Sequence, residues 1–307
     1  MRLGIDLGGT KTEIIAISED GAETLRERVA TPVNDYAEIV AVIRELVRRA
    51  EEQLGRRGSV GVAIPGTLSA RSGLVKNANS TILNGHALDR DLADALGRPI
   101  RIANDANCFT LSEATDGAAA GSNVVFGVIA GTGVGGGVCV GGRLIEGPHR
   151  ITGEWGHNPL PDPRPDELGG HACYCGRAGC IETWISGPAV ARDFHRRTGR
   201  SLSAAEIHQA AARGDEAARS VMEDFLDRFA RAIATVVNIL DPDTIVLGGG
   251  LSNLPGLADQ LAGLAEPYAF MPEGRPLIRK NAHGDSSGVR GAAWLWQREE
   301  LAQALPD

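Results

Sequence analysis

The apolar residues of this chain recur at two spacings, which together predict a mixed α/β protein. Between residues 36 and 54 they fall at helical spacing, and Asp35 is placed as the cap. Further helices are expected from residue 107 to about residue 121 and from Asp215 to just before Pro242. Short apolar runs bounded by glycine, proline and asparagine predict strands at residues 2–6, 12–17, 25–29, 59–64, 99–103 and 244–247.

The same order of elements opens both halves of the chain. A strand, a loop of glycine and threonine, a second strand, a turn and a third strand follow one another at residues 3–29 and again at 124–145. This internal repeat predicts a duplicated fold in which two glycine loops face one cleft. In the second copy Gly131, Gly133 and Gly136 match the dinucleotide-binding fingerprint, but a hairpin follows where that motif requires a helix. We therefore interpret the match as accidental.

The first glycine loop, Asp6-Leu-Gly-Gly-Thr-Lys11, has two interpretations. It is either a plain hairpin turn or a loop that binds phosphate. Gly8 and Gly9 would let a ligand approach the backbone amides closely, while Thr10 and Lys11 would add a hydroxyl group and a positive charge. Asp6 is suited to holding a hydrated Mg²⁺ ion. Because a strand is expected after this loop, it is not a Walker-type loop.

Length and charge narrow the possible classes of function. A chain of 307 residues exceeds what one hydrophobic core usually serves, which predicts two domains or one large duplicated fold. The net charge of −8, without a cluster of lysine and arginine, argues against nucleic acid or an anionic membrane as the main partner. Asp6 interrupts the apolar start and no apolar run approaches a membrane span. We therefore expect a cytoplasmic protein with reduced cysteines.

Three of the five cysteines lie close together, downstream of a histidine. Four residues would supply the ligands of a closed structural zinc site: His157, Cys173, Cys175 and Cys180. The alternatives are a disulfide cluster or unrelated small core residues, and an intracellular chain seldom keeps disulfides. Glu154 and Glu182 flank the ligands, so the loop 153–182 is predicted to fix both carboxylates as part of a polar site.

Polar or glycine residues also follow several of the predicted strands. Asn104 and Asp105 stand where strand 99–103 passes into a helix. Such residues are most often helix caps, but a carboxylate at this point can also be held at the edge of a sheet for catalysis. Asn79 lies in a polar loop of the kind that binds ligands in α/β proteins. Gly248–Gly250 lead into a helix whose N-terminus would suit a phosphate or an adenosine.

In this order the motifs resemble those of the ROK family of bacterial sugar kinases over essentially the whole chain. The resemblance implies an α/β, actin/hexokinase-like (ribonuclease H-like) duplicated two-domain fold with a structural zinc loop. It also implies ATP with Mg²⁺, a structural Zn²⁺ ion and phosphorylation of a hexose at its 6-hydroxyl. The matching stretches are Asp6-Leu-Gly-Gly-Thr-Lys11, Asn104-Asp-Ala-Asn107, Gly131-Thr-Gly-Val-Gly-Gly-Gly137, Gly153-Glu-Trp-Gly-His157, Cys173-Tyr-Cys-Gly-Arg-Ala-Gly-Cys-Ile-Glu182 and Leu247-Gly-Gly-Gly250.

The resemblance implies a role for each candidate residue. Asp105 would be the general base that accepts the proton of the attacking sugar hydroxyl. His157 could bind zinc through one ring nitrogen and the sugar through the other. The sugar would be held by Asn79, Asn104, Glu154, His157 and Glu182. ATP and Mg²⁺ would be bound by Asp6, Gly8, Gly9, Thr10, Lys11, Thr132, Gly133, Gly249 and Gly250.

Different parts of the chain are similar to different members of the family. Residues 76–81, 157–161 and 283–296 are most similar to bacterial fructokinases, including the manno(fructo)kinase type. Residues 107–114 and 251–255 are equally similar to N-acetylglucosamine kinases. We expect a fructokinase that converts D-fructose to fructose 6-phosphate, with a glucose/mannose kinase or an N-acetylglucosamine kinase as the alternative.

We expect a small N-terminal domain of residues 1–105 plus about 289–307, and a large domain of residues 106–288 that contains the zinc loop 153–182. Two non-enzymatic interpretations are a sugar-sensing regulator and an inactive binding module. The family's repressors carry a helix-turn-helix domain ahead of the first glycine loop, which here begins at the sixth residue. Asp6, Lys11 and Asp105 argue against an inactive module. The expected partners are a hexose and ATP, without nucleic acid or membrane, in a homodimer.

Overall fold

The structure, a computed structural model, describes residues 1–271 and 273–305. Two compact units alternate along the chain. The first unit comprises Met1–Ala120, Gly142–Thr152 and 283–305, and the second comprises Gly121–Gly141 and Gly153–Ala282. The domain limits expected from the sequence stay a prediction, and residues 306 and 307 of the expected range 289–307 lie outside the described residues. In the described part of the chain, no helix combines the length and apolar character needed to cross a bilayer.

The elements are short strands and mostly short helices. The strands are β1 (Arg2–Leu7), β2 (Lys11–Ile17), β3 (Glu23–Ala30), β4 (Ser59–Ile64), β5 (Thr67–Leu68), β6 (Val75–Lys76), β7 (Ile100–Asn104), β8 (Val124–Ala130), β9 (Val134–Val140), β10 (Arg143–Leu144), β11 (Thr244–Gly248) and β12 (Ile278–Lys280). The α-helices are α1 (Tyr36–Leu54), α2 (Leu88–Leu96), α3 (Asp105–Thr115), α4 (Glu182–Ile185), α5 (Gly187–Thr198), α6 (Ala204–Ala212), α7 (Glu216–Leu240), α8 (Leu257–Ala265), α9 (Ser287–Trp294) and α10 (Leu301–Ala304).

The first unit is built on a sheet with the strand order β3-β2-β1-β4-β7. Strands β1, β2 and β3 pair antiparallel, whereas β4 and β7 continue the sheet in parallel with β1. Helix α1 begins at the side-chain cap of Asp35 and buries Ile39, Ile43 and Leu46 in the core on one side of this sheet. Because β1, β4 and β7 run in parallel, the residues that follow them gather at one edge of the sheet.

Helix α9 packs against β1, β4 and α3 at backbone distance. A Cβ atom on Gly4 would lie 2.1 Å from the carbonyl oxygen of Val289, and one on Gly61 would lie 1.9 Å from that of Ala292. Gly291 meets α3 in the same way, since its Cβ would lie 1.6 Å from the carbonyl oxygen of Cys108. Glycine is therefore required at these contacts because no side chain fits between the backbones.

The second unit repeats the arrangement of the first. Its strands pair in the order β9-β8-β11-β12, with β8 and β9 antiparallel and β8, β11 and β12 parallel. This is the order of β2-β1-β4-β7 in the first unit, so the duplicated fold predicted from the internal repeat is confirmed. It is the actin/hexokinase-like fold that the resemblance implies. Helices α5 to α8 enclose a core that includes Phe194, Phe225 and Phe229.

Two helix predictions need correction. Helix α3 ends at Thr115, well before residue 121, because Glu113 turns the chain by accepting the backbone N–H groups of Ala118 and Ala119. The glycines after β11 do not enter an α-helix directly. Gly249 has a φ of 77°, a left-handed conformation that no α-helix contains, and a 3₁₀ turn (Gly250–Asn253) precedes α8. The helix expected from residue 215 is confirmed, with Asp215 as its cap.

Candidate active site

The first glycine loop is a tight turn whose backbone is tied to the end of β3. The N–H of Gly8 donates to the carbonyl of Lys11 at 3.0 Å, and the hydroxyl of Thr31 donates to the carbonyl of Gly8 at 2.9 Å. The hydroxyl of Thr31 is also hydrogen-bonded to the hydroxyl of Thr12 at 2.8 Å. The loop is therefore held from behind, while Gly9, Thr10 and Lys11 remain exposed. Thr31 was not identified from the sequence, because nothing in its neighbourhood marks it as polar support for a loop 20 residues away.

Asn79 and the first glycine loop line the same cavity. The cavity measures about 320 Å³, and its walls include Gly8 to Thr10 on one side and Asn79 to Thr81 on the other. A Cβ atom on Gly9 would lie 3.1 Å from the hydroxyl of Ser80, so the two segments touch. The structure thus brings a predicted sugar-binding residue next to the predicted phosphate loop.

Two carboxylates lie at the carboxyl edge of the first sheet. Asp6 is the penultimate residue of β1, and Asp105 begins α3 directly after β7. Burial, followed by the negative charge of Asp105, raises the pKa of Asp6 to about 7. An acid pair of this kind can hold a hydrated divalent cation and can also accept a proton from a hydroxyl group.

Helix capping accounts for Asn104 but leaves Asp105 to be explained. Asn104 is the cap residue: its side-chain oxygen accepts the N–H of Ala106 at 2.9 Å, and its amide donates to the carbonyl of Gly66 at 3.2 Å. Asp105 is the first residue of α3 itself, and its carboxylate also accepts the N–H of Ala106, at 2.8 Å. Its position is fixed by the first turn of α3.

In the second unit the four predicted metal ligands converge. The donor atoms of His157, Cys173, Cys175 and Cys180 lie within 4.8 Å of one another. The Nδ1 atom of His157 lies 3.5 Å from Sγ of Cys173, and the Sγ atoms of Cys175 and Cys180 are 3.6 Å apart. Sulfur ligands about 2.3 Å from a tetrahedral zinc ion would be separated by a similar distance, so this donor set fits zinc.

The disulfide alternative is not seen. None of the five cysteines, all of which lie in the described part of the chain, forms a disulfide bond, and the 3.6 Å between the Sγ atoms of Cys175 and Cys180 is far longer than such a bond. The cysteine loop is instead closed by short backbone bridges between Pro159 and Cys180 and between Ala172 and Ala178. Gly176 and Gly179 turn the chain with φ values of 87° and 73°. The backbone of this loop therefore brings the cysteines close together.

An exposed tyrosine that sequence reasoning missed contacts the histidine of this cluster. The hydroxyl of Tyr174 lies 2.9 Å from Nε2 of His157, and the two rings meet edge to face with centroids 5.0 Å apart. Partial burial of this hydroxyl, with the negative charges of Glu182 and Glu154, raises the pKa of Tyr174 to about 12. The intervening residue of a Cys-x-Cys motif carries no pattern that would reveal such a contact.

The two predicted carboxylates beside the cluster are held differently. Glu182 begins α4, and its Oε2 atom accepts the N–H of Val134, at the start of β9, at 2.9 Å. Glu154 is exposed, but its neighbour Trp155 is buried against Phe126 and donates to the carbonyl of Gly135 at 2.9 Å. The carboxylate of Glu182 and the side chain next to Glu154 are thus both held at the beginning of β9, which follows the second glycine loop.

The remaining predicted nucleotide-binding residues lie at the same edge of the second sheet. Thr132 and Gly133 form the turn between β8 and β9, and Gly249 and Gly250 follow β11. A Cβ atom on Gly131 would lie 3.6 Å from the backbone nitrogen of Gly250, so the two glycine segments are neighbours. Thr132, Gly249 and Gly250 are exposed.

A buried charge cluster holds the loop between the histidine and the cysteines. Glu167 accepts hydrogen bonds from Arg228 at 2.7 Å and from Arg231 at 2.9 Å, and Arg228 also donates to Asp193 at 2.7 Å. The side chains of these four residues are at most 3% exposed. Sequence reasoning missed this cluster because its members come from three elements far apart in the chain.

Comparisons with known proteins identify the family of this chain. The sequence model of the ROK family matches residues 2–299. An N-acetyl-D-glucosamine kinase of Yersinia enterocolitica is 40% identical over 299 residues, which cover 96% of this chain and 99% of that protein. The crystal structure of a ROK hexokinase from Thermus thermophilus is 32% identical, with a TM-score of 0.85 over 96% of this chain and 97% of that chain.

A ROK family glucokinase from Streptomyces griseus, solved in complex with glucose and AMPPNP, is 27% identical. Its TM-score is 0.74 over 95% of this chain and 97% of that chain. The family match spans nearly all of the chain, and the relative from Yersinia is similar over nearly its full length. The protein therefore belongs to the ROK family.

Proposed function

We propose that this protein is a sugar kinase that transfers the γ-phosphoryl group of ATP to the 6-hydroxyl of N-acetyl-D-glucosamine. The observation that carries the proposal is the 40% identity to an N-acetyl-D-glucosamine kinase over 96% of the chain. The acid pair of the first unit and the Cys/His cluster of the second unit support a phosphotransferase of this family.

In the first unit Asp105 is proposed as the general base. Its carboxylate would take the proton of the sugar hydroxyl as that oxygen attacks the γ-phosphorus, and the bond from this phosphorus to the β,γ-bridging oxygen breaks to release ADP. A positioned base contributes roughly 10²–10⁴-fold to such a transfer. Asp6 would hold the Mg²⁺ ion that neutralises the phosphate charge, and the amides of Gly8 and Gly9 would contact the phosphates with Thr10 and Lys11.

The second unit is proposed to supply most of the contacts to the sugar and part of the ATP site. Glu154, His157 and Glu182 would hold sugar hydroxyls, together with Asn79 and Asn104 of the first unit. Discrimination by buried hydrogen-bonding groups is strong, because a sugar that lacks a partner leaves such a group unpaired. The exposed glycine segments would bind ATP: Thr132, Gly133, Gly249 and Gly250.

A zinc ion is proposed at the Cys/His cluster as a structural centre. The cluster offers three sulfur atoms and one imidazole nitrogen, which is a closed ligand set for this ion. Holding it would fix the loop 153–182, and with it the positions of Glu154, His157 and Glu182. We assign it no part in the transfer itself.

Fructose is the competing substrate. The sequence segments around residues 76–81 and 157–161 favour it, but the relative from Yersinia reported above carries the name N-acetyl-D-glucosamine kinase and gives the fructokinase prediction no support. Glucose is the third candidate, since a ROK glucokinase shares the fold at 27% identity.

The test is an ADP-release assay with Mg²⁺-ATP and a panel of N-acetyl-D-glucosamine, fructose, glucose and mannose. We expect the highest kcat/KM on N-acetyl-D-glucosamine. A clear preference for fructose would overturn the choice of sugar but not the kinase reaction. Sugar binding without turnover on any member of the panel would point to an inactive binding module and overturn the proposal.

The assignment of Asp105 has its own test. Asp105→Asn should lower kcat by at least about 100-fold while sugar binding is retained, because only the proton acceptor is lost. Asp94→Asn, on the exposed surface of α2, is the matched control and should keep full activity. Near-normal kcat with an unchanged sugar KM in Asp105→Asn would show that another group accepts the proton.

A further inference from the structure

Tyr174 is an exposed aromatic residue whose hydroxyl makes a specific contact. The residue is 79% exposed, and nothing prevents its side chain from turning fully into solvent. Its hydroxyl nevertheless lies 2.9 Å from Nε2 of His157. Because the ring is not packed into a core, this hydrogen bond determines where the hydroxyl lies.

The hydrogen bond involves the histidine nitrogen that faces away from the cysteines. Nδ1 of His157 is the atom next to Sγ of Cys173, at 3.5 Å. A metal ion on Nδ1 leaves the proton on Nε2, so Nε2 becomes a donor with one N–H. One N–H makes one good hydrogen bond, which the hydroxyl of Tyr174 accepts.

The nitrogen that this hydroxyl contacts is the one proposed to bind the sugar. A sugar hydroxyl would need the position beside Nε2 of His157 that the hydroxyl of Tyr174 occupies. The chain itself thus supplies a hydroxyl where the sugar is proposed to place one.

We propose that Tyr174 is an internal competitor for the sugar, whose hydroxyl is exchanged for a sugar hydroxyl on Nε2 of His157. This inference rests on the proposed function, since it concerns the same site. The exchange sets sugar affinity: a sugar binds only if it replaces the hydrogen bond that Tyr174 gives up. Displacing the side chain requires no repacking, because its ring is exposed.

The test is the variant Tyr174→Phe, which removes the hydroxyl and keeps the ring. Calorimetric titration with N-acetyl-D-glucosamine, and then with glucose, should show a Kd about 2–10-fold lower than in the parent protein, the net value of one neutral hydrogen bond. The KM for ATP and the bound zinc per chain should not change. Tyr268→Phe is the matched control, since it removes a hydroxyl that donates to Asp227 at 2.7 Å in the same unit, and should leave the sugar Kd unchanged.

A sugar Kd that rises in Tyr174→Phe would mean that the hydroxyl binds the sugar, and an unchanged Kd would mean that the contact with His157 has no role. Either result overturns the proposal. Because the measurement is of binding without ATP, it is separate from the proposed reaction. A parent protein that binds sugar but does not release ADP would contradict the proposed function and leave the exchange measurable.

Discussion

Gly133 offers a direct way to move one carboxylate of the proposed sugar site. A Cβ atom at Gly133 would lie 2.6 Å from Oε2 of Glu182, which is closer than real Cβ contacts allow. The backbone of Gly133 does not have a positive φ, so alanine strains the chain only through this contact. In Gly133→Ala the carboxylate must therefore retreat beyond 3.0 Å.

The cost of this retreat falls on function more than on stability. The carboxylate is the end of a flexible side chain, so we expect the free energy of unfolding to fall by about 1 kcal/mol or less. Its hydrogen bond with the N–H of Val134 is stretched or lost, and hydrogen bonds of charged groups contribute about 1.5–3 kcal/mol. If half of that value is lost from the sugar complex, the sugar KM rises about 4–13-fold.

Steady-state kinetics and urea unfolding of the same preparations measure the sugar KM and the stability of Gly133→Ala. Gly263→Ala, on α8, is the matched control because its Cβ would meet only the side chain of Arg275 at 3.9 Å. Gly61→Ala provides the contrast: its Cβ would collide with a backbone oxygen at 1.9 Å, so stability should fall by about 3 kcal/mol. An unchanged sugar KM in Gly133→Ala, with normal stability, would refute the role of Glu182 in sugar binding.

Three further predictions concern ionisation, metal and charge. The raised pKa of Asp6 means that the folded protein loses stability as pH rises from about 4 to about 7, because the buried carboxyl must then ionise. In Asp6→Asn the free energy of unfolding should therefore rise by about 1–3 kcal/mol near pH 8 and not change below about pH 4, while activity is lost. Equal gains in urea unfolding at both pH values would contradict this. Removal of zinc from the Cys/His cluster with a chelator should lower both Tm and sugar affinity, and added Zn²⁺ should restore them. Chelator-treated protein with an unaltered Tm and affinity would argue against a structural zinc site. Glu167→Gln should cost about 3–5 kcal/mol in urea unfolding because it leaves Arg228 and Arg231 short of an anion, whereas the exposed Glu45→Gln should cost less than about 1 kcal/mol; similar losses in the two would show that burial adds nothing.

Much of the fold was predictable because its signals are local. Strand and helix faces follow from residue spacing, Asp35 and Asp215 mark helix caps, and the repeat of strand, glycine loop and strand revealed the duplication. The metal ligands were also predictable, since cysteine and histidine have few other reasons to cluster.

The rest depends on contacts between distant segments, which spacing does not encode. Glu167 reads as an ordinary loop residue until α7 brings Arg228 and Arg231 to it. Likewise, the sequence around Glu182 does not reveal that the N–H of Val134 donates to its carboxylate. It also does not reveal that Gly133 must lack a side chain because this carboxylate lies beside it. Helix α3 was predicted too long because the turn depends on Glu113 reaching Ala118, which is a choice among several local hydrogen bonds.

The glycine contacts of α9 also have a consequence for how the protein is made. β1 emerges from the ribosome early, but the helix that covers it through Gly4 and Val289 follows only after the whole second unit. At typical rates of synthesis this delay lasts about 15–60 seconds. During it, apolar residues such as Ile15 and Ile17 lack their partners on α9. The second unit is thus complete before the first, and one face of the first sheet stays uncovered until α9 has been made.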